Sequence, residues 1–220
     1  MIDHKIDREN AVRETKKNLI LDGALDVFLE KGYHDARLED IAERAGFSKA
    51  SLYNYYDDKE AIFFSLGLRE HSEMTDSIRK ASDPALSFYE NISNVIEVIL
   101  ELISQKFAFS LAVVNSHTMC LFENEYMKSR HAGLIGEFMR NVEENFNNLT
   151  ELIESAREKG EISSSVESSA AARYFISLMR GVYFFWKSRK KPGDLTKEKE
   201  NILNFLCSGL GMEKRKGLHK

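Results

Sequence analysis

Leu38-Glu39-Asp40-Ile41-Ala42-Glu43-Arg44-Ala45-Gly46-Phe47-Ser48-Lys49-Ala50-Ser51-Leu52-Tyr53-Asn54-Tyr55-Tyr56 is the stretch on which the reading of this chain turns. Its spacing is that of two short helices crossing steeply through a tight turn. Gly46 ends the first helix, because glycine accepts the positive φ such a turn needs. Ser48 can cap the second by accepting an orphan backbone amide. Ala42 is small enough for close approach, and Ile41, Ala45, Phe47 and Leu52 fall where both helices share a core with a preceding one. The opposite face carries Lys49, Ala50, Ser51, Tyr53, Asn54 and Tyr55, where a packed helix would carry Leu and Val. Small residues at 50 and 51 let the helix approach base edges, and Ser51 and Asn54 can donate and accept there. Phe47 and Ser48, at the start of this helix, are expected among its DNA-binding residues, and Lys49, Tyr53, Tyr55 and Lys59 are expected to reach phosphates and fix register. Lys16 and Lys17 would grip the flanking backbone. The expectation is a helix-turn-helix whose second helix enters a DNA groove; the bland alternative is a helical corner with a polar outer face.

Outward from this stretch, apolar residues recur at three and four almost everywhere, prolines are two, and alternating β-branched runs are few, which predicts an all-α protein of about nine helices. Residues 1–12 read as a flexible arm. A first helix is expected over 13–31, closed by Gly32, and residues 13–60 form a three-helix head with the helix-turn-helix. Residues 61–212 form a larger helical body, and 213–220 a basic tail. In the body, helices are expected over 59–81, from Asp83-Pro84 to about 104, over 125–157, over 170–187 and over 196–210. Residues 106–122 are apolar nearly all round, as in a buried helix or one lining an internal space.

The formal charge of −4 does not suggest a polyanion binder, and residues 1–60 hold ten Lys/Arg against fourteen Asp/Glu. DNA binding must therefore come from where the cations sit. Cys120 and Cys207 read as reduced thiols. Glu97, Glu101 and Arg180 interrupt the most apolar segments, so no membrane span is expected. The N-terminus carries no apolar signal core, and a cytoplasmic location is expected.

Beyond the turn, residues 17–62 resemble the TetR (tetracycline-repressor-like) family of bacterial regulators. The matching residues are Ile20-Leu21-Asp22, Ala24-Leu25, Phe28, Lys31-Gly32-Tyr33, Asp40 through Gly46, Ser48-Lys49, Leu52-Tyr53, Tyr56 and Lys59-Glu60. The resemblance implies an all-helical homodimer with a DNA-binding head and a ligand-binding body. Its function would be sequence-specific regulation of transcription, most often as a repressor that a small, mostly apolar ligand releases from a palindromic operator in double-stranded DNA. Three departures stand out. Arg37 replaces the usual Ser or Thr cap of the second helix, at a cost of about 1 kcal/mol, and is a candidate phosphate contact. Gly23 replaces a common Ala and is expected to weaken the first helix. Tyr55 replaces a common His.

Outside the head the resemblance is architectural. Ala171, Tyr174, Leu178, Gly181, Val182 and Phe185, with Ile202, Phe205, Leu206 and Leu210, give the last two helices apolar stripes suited to a four-helix dimer interface. The effector pocket is expected among Phe88, Ile92, Phe107, Leu111, Met119, Phe138, Val142, Phe146, Phe175 and Met179, with plain core as the alternative. His117, Cys120, Glu123 and His131 have partial ligand spacing but no second pair, so no metal and no cofactor are expected. Gly209-Leu210-Gly211 follows no strand and is no phosphate loop. No nucleophile elbow, zincin pair or Gly-rich cofactor loop suggests an enzyme. The competing expectation is an all-helical small-molecule or lipid carrier with a vestigial head.

Overall fold

The computed structural model describes residues 3–105, 124–187 and 195–212, and among these every regular element is a helix. In chain order they are α1 (Asp3–Asp35), α2 (Leu38–Ala45), α3 (Lys49–Leu52), α4 (Lys59–Ala81), α5 (Phe88–Gln105), α6 (Glu125–Arg130), α7 (Ala132–Glu158), α8 (Ser168–Lys187) and α9 (Leu195–Leu210). Two compact units result. The first comprises residues 1–70 with 113–138, and the second 71–112 with 139–220. The apolar segment 106–122 and the tail 213–220 lie outside the described residues.

In the first unit, α1 buries Ile20, Leu21, Ala24, Leu25, Val27 and Phe28. Ile41 and Ala42 of α2, Leu52 of α3, and Ile62, Phe63, Phe64 and Leu66 of α4 are buried in the same unit. Phe28, Tyr33 and Phe63 form a ring cluster with centroids 4.7–5.8 Å apart, each pair adding about 0.5–1.5 kcal/mol beyond its burial. Where a flexible arm was expected, the chain is helical from Asp3. No Pro or Gly interrupts residues 3–22, Glu9 stands four residues before Arg13, and Lys17 pairs with Glu14 at 3.0 Å. At the other end Gly32 (φ 77°, ψ 165°) kinks the helix, and one more turn reaches Asp35.

Gly23 has a role that helix propensity did not suggest. A β-carbon there would lie 2.9 Å from both the Cβ and the backbone nitrogen of Ala45. The absence of a side chain is what lets α1 and α2 approach this closely.

In the second unit, Phe88, Ile92, Val95, Ile96, Ile99 and Leu100 of α5 pack with Ile153 and Ala156 of α7, Ala172, Phe175, Met179 and Tyr183 of α8, and Ile202, Leu203 and Leu206 of α9. Helix α5 begins at Phe88, later than the Asp83-Pro84 start expected. Ser87 and Glu90 form a capping box: the Ser87 amide donates to Glu90 Oε2 at 2.9 Å and the Glu90 amide donates to Ser87 Oγ at 3.3 Å. Residues 83–87 instead form a turn held by buried Asn91, whose amide bonds both the nitrogen and the carbonyl of Asp83. The single long helix expected over 125–157 is two, because His131 (φ −117°, ψ 28°) leaves the helical region.

Candidate nucleic-acid interface

The turn between α2 and α3 forms as its residues require. Gly46 adopts the left-handed conformation (φ 76°, ψ 27°), and its amide and that of Phe47 close onto the carbonyls of Glu43 and Ala42. Ser48 caps α3 by accepting the Ser51 amide at 3.1 Å. Helix α3 is shorter than the stretch 47–56 suggested. After Leu52 the chain tightens into a turn in which Asn54 and Tyr55 donate their amides to Ser51 and Leu52. Ser48, Lys49, Ala50, Tyr53 and Asn54 are exposed, Ser51, Tyr55 and Phe47 partly buried, and Leu52 and Tyr56 fully buried. The outer face is thus small and polar, with one phenol, Tyr53, standing 46% exposed.

Several flanking side chains are already engaged. Lys49 pairs with Glu39; the bond holds the Glu39 carboxyl below its usual range and raises Lys49. Both are solvent-exposed, so water and salt screen the pair and a phosphate can displace the carboxylate. The Phe47 ring meets the Tyr55 ring edge-on at 6.0 Å, and the Arg13 guanidinium lies 5.4 Å above Tyr55 while donating to the Asn54 carbonyl at 3.1 Å. Arg37 occupies the N-cap of α2 with an exposed side chain. Arginine has no acceptor, so only half of a capping box is possible there: the Arg37 amide donates to Asp40 Oδ2 at 3.2 Å. The Asp40 carboxyl is held low first by the bond from Lys31 and then by that amide. Lys16 is exposed, and Lys17 is paired with Glu14.

Lys59 is placed differently from the phosphate contact expected of it. Its ammonium donates to the carbonyls of Tyr33 (2.8 Å), His34 (3.3 Å) and Ala36 (3.0 Å) and lies 4.4 Å from the Tyr33 ring centroid. Burial lowers its pKa. It faces inward and ties the start of α4 to the end of α1, where orphan carbonyls of a helix end need donors. Beside it the Tyr33 hydroxyl donates to Glu60 at 2.7 Å, and burial together with that bond pushes the phenol's pKa up.

Sequence reasoning missed two further features. Arg13 was not singled out, although it lies seven residues, about two turns, before Ile20 and so shares its face of α1. Asp58 caps α4 by accepting the Ala61 amide at 2.7 Å, and also accepts Arg130 Nε at 2.7 Å. His131 Nε2 stands 3.4 Å from the same carboxylate. In the sequence, Asp57-Asp58 ahead of Lys59 offers a cap for α4, but nothing local signals a partner at 130.

In the second unit, Phe88, Ile92 and Phe175 line a cavity of about 260 Å³. Ala171, Tyr174, Leu178, Phe205, Leu206 and Leu210, assigned to a dimer face, line it too. Tyr174 and Phe205 are 66% and 67% exposed, and Phe185 and Gly181 are also exposed, whereas Val182 and Ile202 are buried. Met179 is core, Phe146 packs against it and Val142 is partly exposed. Phe138 is buried in the first unit, and Phe107, Leu111 and Met119 lie outside the described residues. Among the described residues no three His, Cys, Asp or Glu cluster as metal ligands, and no helix is long and apolar enough to cross a membrane. His117, Cys120 and Glu123 fall outside them.

Among the described residues every regular element is a helix, and α2 and α3 form a helix-turn-helix. Residues 20–66 match the model of the tetR family of bacterial regulatory proteins. The remainder of the chain does not enter that match. The Escherichia coli K12 HTH-type transcriptional regulator RutR is 48% identical over 59 residues, 27% of each chain. Two solved structures share the fold. The transcriptional regulator FadR from Bacillus subtilis, in complex with stearoyl-CoA, is 21% identical with a TM-score of 0.69, over 87% of this chain and 97% of that one. AibR, in complex with isovaleryl coenzyme A and operator DNA, is 17% identical with a TM-score of 0.69, over 90% of this chain and all of the other. The chain spans about half or less of the length of the first curated relatives it matches.

Proposed function

We propose that this chain is a dimeric, sequence-specific DNA-binding regulator of transcription, released from a palindromic operator by a small, mostly apolar ligand. The observation that carries the reading is the exposed face of Ala50, Tyr53 and Asn54, on α3 and the turn that follows it, with α3 held by left-handed Gly46 and the Ser48 cap. Small and hydrogen-bonding groups at these positions suit base edges, and Tyr53, Lys49 and Lys16 suit phosphates. Two such heads, roughly 34–36 Å apart in a dimer, would read successive major grooves. Exposed Tyr174, Phe185 and Phe205 on α8 and α9 support a dimer through these helices, since large apolar groups so exposed favour a partner. That named relatives were crystallised with acyl-CoA thioesters supports an acyl thioester or a related long apolar acid as the effector class. The apolar lining contributed by Phe88, Ile92 and Phe175 suits the acyl part.

The test is a fluorescence anisotropy titration with DNA from upstream of the chain's own coding sequence, repeated at several salt concentrations. Asn54→Ala and Tyr53→Ala should each weaken binding by about ten- to a hundredfold, from roughly 1–3 kcal/mol per good contact. Acyl-CoA thioesters of increasing length, added to the complex, should release it. No sequence-specific, salt-sensitive complex with the wild-type protein would sink the proposal.

A further inference from the structure

The head has few cations left over. Lys17 pairs with Glu14, Lys31 with Asp40, Arg44 with Glu30 and Asp26, Lys49 with Glu39, and Arg69 with Asp22. Lys59 is directed onto three carbonyls. Arg8 and Lys16 are different: both are exposed, and neither makes an ion pair among the described residues. They share one open groove with Glu9, Arg13 and Tyr55, about 670 Å³ in volume, along the N-terminal part of α1. Three cations and one carboxylate line it, in a head whose first sixty residues are net acidic.

The groove is joined to the α3 turn. Arg13 donates to the Asn54 carbonyl and lies over Tyr55, so the extended part of α1 is fixed beside the residues assigned to base and phosphate contact. Arg8 and Lys16 are eight residues apart, or about 12 Å along a helix axis. That span matches three to four base-pair steps at about 3.4 Å each. Arginine and lysine on a rigid helix lose less freedom on meeting phosphates than they would on a loose arm.

We propose that the N-terminal extension of α1 is a second DNA-contacting element, in which Arg8 and Lys16 hold the sugar-phosphate backbone of the duplex flanking the sequence that the α3 turn reads. This deepens the regulator reading and rests on it. The contacts are with phosphates, so they add affinity and salt dependence and no base preference. Lys49 contributes less net charge, because a phosphate must first displace Glu39.

The experiment uses the full chain and two duplexes: the stretch footprinted upstream of its own coding sequence, and that stretch lengthened by six base pairs on each side. Wild type and the double variant Arg8→Ala, Lys16→Ala are titrated from 50 to 300 mM salt, with thermal melts as a folding check. On the long duplex the variant should lose roughly thirtyfold in affinity per head at 0.15 M salt, with the logarithmic salt slope shallower by about two per head. On the short duplex the two proteins should bind alike. Equal slopes and affinities on the long duplex overturn the inference while leaving the regulator reading intact. If wild type forms no sequence-specific complex on either duplex, the regulator reading falls and this inference with it.

Discussion

In the first unit, polar side chains close the structure: Lys59 on the carbonyls at the end of α1, Tyr33 on Glu60, Asp58 on the first turn of α4 and on Arg130, Arg69 on Asp22. In the second, apolar stripes of α5, α7, α8 and α9 mesh, and the buried polar groups among its described residues are His71, Asn91 and Ser168. The contrast has a physical origin. A head of one long helix, two short ones and the first turns of α4 has little volume to fill, so directional bonds must fix where its α3 turn points. A body of longer helices can reach stability by area alone, and its positions tolerate many apolar residues of similar volume.

Lys59→Met tests the polar half of this comparison and carries the largest expected effect. It leaves three carbonyls without their charged donor and should cost roughly 1.5–3 kcal/mol in urea unfolding of the head. DNA affinity should fall with the head's stability, while the salt slope stays as in wild type, because the ammonium faces inward. A slope reduced by about one would mean that Lys59 holds a phosphate after all.

Gly23→Ala comes next. Helix propensity alone promises a gain of about 1 kcal/mol. The β-carbon would press on Ala45 at 2.9 Å, and overpacking of this kind costs about 1–3 kcal/mol. Net destabilisation by about 1 kcal/mol is expected, read from denaturant midpoints. Ala45→Gly should not restore it, since the Ala45 backbone nitrogen lies equally near. A stabilised single variant would contradict the packing account.

These two residues also mark what could be read in the chain beforehand. The helix-turn-helix was legible because each of its parts is local: a positive-φ glycine at 46, a cap at 48, and a polar face within ten residues. Gly23 and Lys59 were misjudged for the same reason, since what decides them lies 22 and 23 residues away at Ala45 and Ala36. The Ser87–Glu90 box was readable from its spacing and was overlooked in favour of Pro84. In the body, periodicity located the helices. It could not separate pocket from interface, because Phe175 and Phe205 border one cavity from adjacent helices with the same apolar chemistry.

The smallest expected effect concerns one of the body's buried polar groups, His71. Thr75 donates its hydroxyl to the His71 carbonyl at 2.8 Å, so its oxygen must accept from Asn145 Nδ2, 2.6 Å away. That orients the Asn145 amide, whose other hydrogen points to His71 Nε2 at 2.9 Å. Nε2 must then accept, and the imidazole is neutral in the fold. Burial lowers its pKa below the ordinary 6.5, and Arg180 lowers it further, against the opposing bond to the Asn141 backbone. Because the folded value is depressed for a base, the unfolded chain binds more protons between the folded value and 6.5, and stability rises with pH across that window. The contribution is present above pH 6.5 and is lost as pH falls below it, at no more than about 1.4 kcal/mol per pH unit. The lowered carboxylates Glu39 and Asp40 titrate below 4.5 and do not overlap. His71→Gln keeps an acceptor for Asn145 but no titrating ring. Its melting temperature should therefore fall less than that of wild type between pH 7.5 and 5.5, and parallel curves for the two proteins would show that His71 takes up its proton in the fold as readily as in the unfolded chain.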